Sequence, residues 1–147
     1  MTSLRSCRKV DAATMQSMMS SEYQKGNRVP ELSQALFDSG FPLRIVEHCQ
    51  LEGCIAELHL HEDDFWVCLE GEAEFILGGK LVKPRYHDGL TWIADSIEDG
   101  ERYTFKAGDW FHVPAGQAHQ PITSGTARLV IVKVPAKEGK VVVDYLI

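Results

Sequence analysis

The sequence predicts a single all-β domain, built as a barrel or a sandwich of short strands. From Phe41 onward, short apolar or alternating segments follow one another at nearly even spacing, with glycines between them. Such a series is typical of β-barrels and sandwiches. A chain of 147 residues with 44% hydrophobic and 24% charged residues suits one globular domain. We therefore expect a β domain at 30–147, preceded by an N-terminal arm at 1–29.

Charge and hydropathy exclude several classes of partner. The net charge is −6 and no basic run is present, which argues against nucleic acid and anionic membranes. No apolar run approaches the ~20 residues of a membrane span, and the first residues lack the apolar segment of a signal peptide. The four cysteines lack CxxC spacing, which argues against a zinc site, and disulfides are not expected without a secretory signal; Cys54 and Cys68 lie inside strand patterns and are expected to be small buried hydrophobic residues. We expect a cytoplasmic protein whose partner is a small molecule.

The N-terminal region predicts little regular structure. Residues 1–29 are polar and weakly patterned, with at most two helical turns around three methionines. They predict an arm that is mobile or packs on a partner subunit. A short helix then begins at Pro30 and ends before Gly40, since proline suits a first helical position and glycine follows helix ends.

The remaining elements are strands. The pattern places them near 43–49, 53–60, 64–70, 72–78, 102–106, 109–113, 118–122, 126–134 and 140–146. The segment 80–101 is too long for a tight loop and predicts a rim or lid with a strand at 90–94. Its Tyr86, His87 and Trp92 are more simply explained as solvated residues, or as an anchor for the loop, than as substrate contacts.

A metal-binding pattern lies at the centre of the chain. Glu57, His59 and His61 alternate with apolar residues, so an extended strand points both imidazoles from one face. Carboxylates at 62–64 follow at a predicted turn, and the next strand is expected to fold back beside the first as a hairpin. Imidazole and carboxylate together suit first-row divalent metals. Against this, a surface His-x-His is commonly two solvated histidines.

A third histidine favours the metal site. His119 lies just beyond a Pro-Ala-Gly turn at 114–116, at the start of another predicted strand. It is therefore a candidate for a third nitrogen ligand.

These residues also form a recognisable motif. Gly53, His59, His61 and Gly71 match the pattern of Gly, five residues, His-x-His, three or four residues, Glu, six residues and Gly, except that the gap after His61 is two residues here. Asp64 occupies the position of the Glu. Its shorter arm leaves direct ligation, ligation through water and ligation by histidines alone as alternatives.

A second motif follows in the expected order. Gly108, Pro114, Gly116 and His119 match Gly, five residues, Pro-x-Gly, two residues, His, three residues and Asn, with Thr123 in place of the Asn. In these two motifs the chain resembles the cupin superfamily.

The resemblance implies a double-stranded β-helix, the jelly-roll-like cupin barrel, with a short N-terminal helix. It implies one divalent metal ion held by His59, His61, Asp64 and His119, and a homodimer. It further implies that the region from about 43 to 135 forms the barrel.

Strand alternation suggests which side chains surround the site. Glu57 shares the face of His59, where it is expected to hydrogen-bond a ligand imidazole or to act as a general base. Gln117 is placed to donate a hydrogen bond to substrate or water. The predicted pocket wall comprises Trp66, Phe75 and His112.

The leading functional hypothesis is a metal-dependent, dioxygenase-like oxidoreductase that acts on a small organic substrate. Fe(II) is the first expectation for the metal, with zinc, nickel and manganese as alternatives. Two other functions fit the same resemblance: a non-enzymatic module that binds a small ligand, and a Lewis-acid isomerase or lyase.

Overall fold

The computed structural model describes residues 6–136, so the strand predicted at 140–146 lies outside the described residues. Within this range the protein is a curled antiparallel sheet with two short helices, as the sequence predicted. No helix in the described part of the chain is long and apolar enough to cross a membrane. The elements are α1 (Ala12–Met19), β1 (Gly26–Arg28), α2 (Glu31–Asp38), β2 (Leu43–Cys49), β3 (Ala56–His59), β4 (Glu62–Leu77), β5 (Lys80–Leu81), β6 (Arg85–Asp88), β7 (Thr91–Ala94), β8 (Ile97–Glu98), β9 (Glu101–Lys106), β10 (Trp110–Val113), β11 (Ala118–Pro121) and β12 (Thr126–Pro135).

The long strand β4 joins the two halves of the barrel. Its first half pairs with β12 and β10, and its second half pairs with β11 and β9. The sequence predicted two strands here, separated at Gly71, but the chain runs through as one strand. Gly71 has φ 72°, and a Cβ there would collide with the carbonyl of Thr126. Glycine thus permits a bend within the strand instead of a turn between two strands.

The hairpin expected between β3 and β4 is wrong. β3 pairs with β11 and β7, and β4 is not its neighbour. The two residues between them, Leu60 and His61, form a corner that carries the chain from one half of the barrel to the other. Side chains from β3 and β4 therefore approach each other across the interior rather than side by side in one sheet.

The N-terminal segment packs on the barrel. Met18 of α1 is 1% exposed and belongs to a cluster with Ile45 and Val130, which covers the outer face of the β2–β12 pair. Asp11 caps α1 by accepting a hydrogen bond from the Thr14 amide at 2.8 Å. The strand β1 then pairs with β2. The chain covers this apolar face with its own helices, and the homodimer stays a prediction.

Buried charges fix the same segment to the sheet. Arg128 of β12 bonds Glu70 at 2.6 Å and lies 3.6 Å from Glu47, which in turn bonds Arg28 of β1 at 3.2 Å. Arg128 and Glu47 are 6% and 2% exposed. Because each buried charge has a partner of opposite sign, this network is compatible with burial.

Aromatic rings fill part of the barrel interior. Trp66 and Phe111 stack with parallel planes, and Phe75 packs against both rings with centroids 5.3 and 5.0 Å away. Phe105 extends the cluster. These rings form an apolar core beside which the polar residues of β3 and β11 lie.

The segment 80–101 forms structure of its own. Its strand β7 matches the strand predicted at 90–94 and pairs with β3, while β6 pairs with the outer edge of β7. Trp92 packs with Leu58 and its neighbours and meets Tyr86 edge-on at 5.8 Å. The tryptophan therefore anchors the segment.

A candidate metal centre

Two neighbouring strands bring three of the polar residues together. Glu57 and His59 lie two residues apart on β3, so they face the same side. His119 of β11 lies directly opposite Glu57 in the antiparallel register. The Oε2 atom of Glu57 is 3.6 Å from Nε2 of His59 and 3.7 Å from Nε2 of His119.

Asp64 completes the cluster from across the barrel. It lies near the start of β4, and its side chain is 1% exposed. Its Oδ2 atom is 3.5 Å from Nε2 of His59 and 3.6 Å from Nε2 of His119. The corner at Leu60 and His61 is what turns this carboxylate toward the imidazoles.

The spacing of these atoms fits a metal ion. Ligands ~2.1 Å from a tetrahedral centre lie ~3.4 Å from one another, close to the observed separations. Nε2 of His59 and Oδ2 of Asp64 are buried and have no hydrogen-bond partner among the described residues. Buried polar atoms are rarely left in this state. A divalent ion would satisfy both of them.

Thr91 orients His59. Its Oγ1 lies 2.9 Å from Nδ1 of the imidazole, and the two residues are register partners on β7 and β3. In the tautomer in which Nδ1 donates to this hydroxyl, Nε2 carries the lone pair that a metal requires. The sequence analysis missed Thr91, because only the pairing of β7 with β3 reveals its position.

The local environment holds His59 and Glu57 in the protonation states that bind a cation. Burial lowers the pKa of His59 to about 3, with His119 and Lys133 as further causes. Interaction with His119 lowers the pKa of Glu57 to about 2, against the opposing effect of burial. At neutral pH the His59 imidazole is neutral and the Glu57 carboxylate is ionised, which are the ligating forms.

Two further charged residues lie beside the cluster: Glu62, one of the carboxylates noted at 62–64, and Lys133, which was not predicted. The Nζ atom of Lys133 on β12 lies 2.9 Å from Oδ1 of Asp64 and 3.0 Å from Oε1 of Glu62. The lysine thus engages the oxygen of Asp64 that faces away from the imidazoles. Glu62 itself groups with His59 and Asp64 as a further set of closely spaced ligand atoms.

His61 lies at the rim of the site. Because strand alternation stops at His59, the His61 side chain is 39% exposed and its Nε2 lies 3.4 Å from Oε2 of Glu62. Its ring centroid is 6.2 Å from that of His59. The structure therefore brings together His59, Asp64 and His119 of the predicted ligand set, adds Glu57, and leaves ligation by His61 a prediction.

The predicted pocket residues divide between two places. Trp66 and Phe75 line a small cavity of about 80 Å³ that Glu57 and His119 also line. Gln117 and His112 line a different recess of about 220 Å³. There, His112 pairs with Asp63 at 2.8 Å and stacks on Phe65. A catalytic role for Gln117 and a substrate contact by His112 stay predictions.

A larger cavity opens beside the cluster. Its volume is about 500 Å³, sufficient for a small organic molecule. Its lining includes Phe37, Arg44, Glu57, His59, His61, Glu62, His87, Asp88, Gly89, Thr91 and Lys133. Glu57 and His59 of the cluster thus border a space that a small molecule can enter.

The two sequence motifs converge inside the barrel. The first supplies His59 and Asp64, and the second supplies His119 from a strand that pairs with β3. The strands form a curled antiparallel sheet, in agreement with the barrel that the two motifs imply. No family model and no curated protein matches the chain.

Solved cupin structures are similar at low identity. A cupin protein from Bacteroides fragilis is 14% identical over 85% of this chain and 89% of its own, with a TM-score of 0.47. The EutQ protein of Clostridium difficile is 17% identical over 65% of this chain, with a TM-score of 0.42, and this chain spans 56% of its length.

An enzyme is also among the similar structures. Hydroquinone 1,2-dioxygenase from Sphingomonas sp. TTNP3, with 4-hydroxybenzoate bound, is 15% identical over 66% of this chain and 62% of its own, with a TM-score of 0.44. Likenesses at this level carry no argument about activity. The functional argument for this domain rests on its own residues.

Proposed function

We propose that this cupin domain binds one divalent metal ion between β3, β4 and β11 and acts on a small organic molecule in the adjoining cavity. One observation carries the proposal. Each of two imidazole nitrogens lies 3.5–3.7 Å from each of two carboxylate oxygens, and two of these atoms are buried without a partner among residues 6–136. Such a cluster is costly unless a cation occupies it.

The ligand types favour an oxidoreductase of the dioxygenase kind with Fe(II). Two histidines and a carboxylate with open positions are typical of non-haem iron oxygenases. A bound iron would supply redox chemistry with dioxygen at such a position. Zinc, nickel or manganese in the same ligands would instead support Lewis-acid chemistry, as in an isomerase or lyase.

The residues of this chain have distinct roles in the proposal. His59 and His119 supply nitrogen ligands, and the Thr91 hydroxyl orients the His59 ring by accepting from Nδ1. Glu57 is 38% exposed, far more than Asp64, and it lines both the large cavity and the small inner one. Its ionised carboxylate is therefore placed to accept a proton from a substrate as well as to ligate.

A second candidate function is a non-enzymatic binding module. Lys133 already provides Asp64 with a cationic partner at 2.9 Å, so part of the negative charge is balanced without a metal. In that case the cavity binds a small molecule that is not converted. Absence of turnover, with ligand binding retained, distinguishes this function from an enzyme.

The decisive experiment is elemental mass spectrometry on untagged protein purified without oxygen. We expect close to one iron per chain, and its loss from His119→Ala. The matched control is His87→Ala, an exposed imidazole in the lining of the same cavity, which should retain the metal. Full occupancy in His119→Ala, or no metal after reconstitution of the wild type, would contradict the proposed centre.

An activity screen then separates the two candidate functions. Oxygen consumption would be measured with small thiols and phenols on the iron-loaded protein. Zinc in place of iron, with no oxygen uptake, would move the function to Lewis-acid chemistry.

A further inference from the structure

Arg44 points into the mouth of the barrel. On β2, Val46 packs in the interior core and Ile45 packs under α1, so the even-numbered side chains face inward. Arg44 shares the face of Val46 and lines the cavity of about 500 Å³ together with His59 and Lys133. A guanidinium is thus part of the space in which the proposed substrate lies.

Arg44 also lacks a partner for its charge. It forms no ion pair and no side-chain hydrogen bond with any residue between 6 and 136, and its Nε atom is buried without a partner. The other arginines in this range each have a hydrogen bond or an ion pair: Arg8, Arg28, Arg85, Arg102 and Arg128. Arg44 itself is partly buried, and a buried guanidinium nitrogen without an acceptor is unfavourable because its lost hydration is not replaced.

Phe37 holds this guanidinium in place. The Cζ atom of Arg44 lies 4.4 Å from the centroid of the Phe37 ring, which projects from α2. This contact uses the face of the guanidinium and leaves its in-plane N–H donors available. The orientation is therefore set before any ligand binds, which reduces the entropy lost on binding.

The charges around the cavity leave Arg44 uncompensated. Lys133 and a bound divalent ion would together balance the three carboxylates of Glu57, Glu62 and Asp64. Asp88 lies at the exposed rim, where it is 3.8 Å from His87 and screened by water. The positive charge of Arg44 is consequently available to an anionic group on the ligand.

We infer that Arg44 binds a carboxylate of the small molecule that occupies this cavity, so that the ligand is a small organic acid. An arginine with its in-plane donors free matches a carboxylate in a bidentate geometry. The inference rests on the proposed function only in using the same cavity as the substrate site. It assigns the substrate class and the residue that selects it.

Calorimetric titration of the metal-loaded protein tests this assignment. The probes are benzoate, phenylacetate and succinate, with benzamide, phenylacetamide and succinamide as neutral counterparts. We expect at least one acid to bind the wild type at least tenfold more tightly than its amide. Acids and amides that bind equally, or no binding by any acid, would overturn the inference without the use of a variant.

Substitutions then assign the effect to Arg44. Arg44→Met should weaken acid binding at least tenfold and leave amide binding unchanged, while Arg44→Lys should lie between the two. The matched control is Arg102→Met, an exposed arginine on β9 outside the cavity, which should bind acids like the wild type. Equal acid affinity in Arg44→Met and the wild type would refute the role of Arg44.

Metal content measured on the same samples separates the two proposals. Arg44→Met should retain the metal of the wild type, since Arg44 is not among the candidate ligands. Metal without acid binding would refute this inference alone. Acid binding that depends on Arg44 in a protein without metal would refute the proposed centre and leave the inference standing.

Discussion

Two buried histidines of the barrel, His48 and His59, have the same kind of contact at Nδ1 but differ in what lies near Nε2. The Nδ1 atoms of His48 and His59 lie 3.0 and 2.9 Å from threonine hydroxyls, those of Thr123 and Thr91. In both residues Nε2 is buried without a hydrogen-bond partner in the described structure. Burial lowers both pKa values, to about 4 for His48 and about 3 for His59.

The difference lies beyond Nε2. The His48 ring packs against Phe75, with centroids 5.6 Å apart. Nε2 of His59 instead faces the carboxylates of Glu57 and Asp64 at 3.6 and 3.5 Å. The comparison teaches that burial and a fixed tautomer do not make a candidate metal ligand, because convergent oxygen atoms from other strands are also required.

The largest expected effect comes from replacing each of the two histidines by alanine in turn. His59→Ala should lose metal binding almost completely, since it removes a ligand and one anchor of the cluster. His48→Ala should keep the metal but lower the free energy of unfolding by about 2–4 kcal/mol, because it leaves a cavity in the core. Elemental analysis and urea unfolding measure the two quantities. Metal loss in His48→Ala, with the fold intact, would contradict the assignment of a structural role to His48 and a metal-binding role to His59.

Replacing Thr91 and Thr123, the hydroxyl partners of His59 and His48, provides a second test of this comparison. Thr91→Val should weaken metal affinity about 10- to 100-fold, since the His59 tautomer is no longer held. Thr123→Val should leave metal affinity unchanged and cost about 1–2 kcal/mol of stability, because its hydroxyl also accepts a hydrogen bond from the Glu74 amide at 3.0 Å. Competition with a chromophoric chelator measures the affinity. Equal affinities in the two variants would contradict the role of Thr91.

Burial of His48 should make the free energy of unfolding decrease at acidic pH. The unfolded histidine takes up a proton near its ordinary pKa of 6.5, whereas the folded one does so only near 4. Stability is therefore lost as the pH falls from about 6.5 toward 4. Between pH 7 and pH 5 the loss is on the order of 2 kcal/mol.

Urea unfolding at both pH values measures this loss in the metal-free protein. The wild type is compared with His48→Gln, which lacks the titrating group, so that contributions common to both cancel. An unchanged pH dependence in the variant would show that His48 is not responsible.

Local patterns in the chain predicted much of the fold. Strand alternation placed β2 at its observed residues, and Pro30 and Gly40 bracketed α2. Alternation also placed Glu57 on the face of His59, where the structure has it. These predictions succeeded because strand and helix periods depend on neighbouring residues in sequence.

Predictions that required knowledge of strand partners were incomplete. His61 follows the same alternation as His59 in the sequence, but the corner before β4 places it at the rim. Thr91 and Lys133 reach the cluster only because β7 pairs with β3 and β12 pairs with β4. Nothing in the spacing of these residues indicates that contact.

The sequence by itself determined most of the strand pattern, the two cupin-like motifs, the face shared by Glu57 and His59, and the ligand types brought by His59, Asp64 and His119. The tertiary structure decided which atoms meet, adding Thr91 to the cluster and leaving Arg44 with an uncompensated charge. The physical reason is that ligand type is a property of each side chain, whereas convergence depends on the register between strands far apart in sequence. In a barrel that register is set by the packing of the whole sheet.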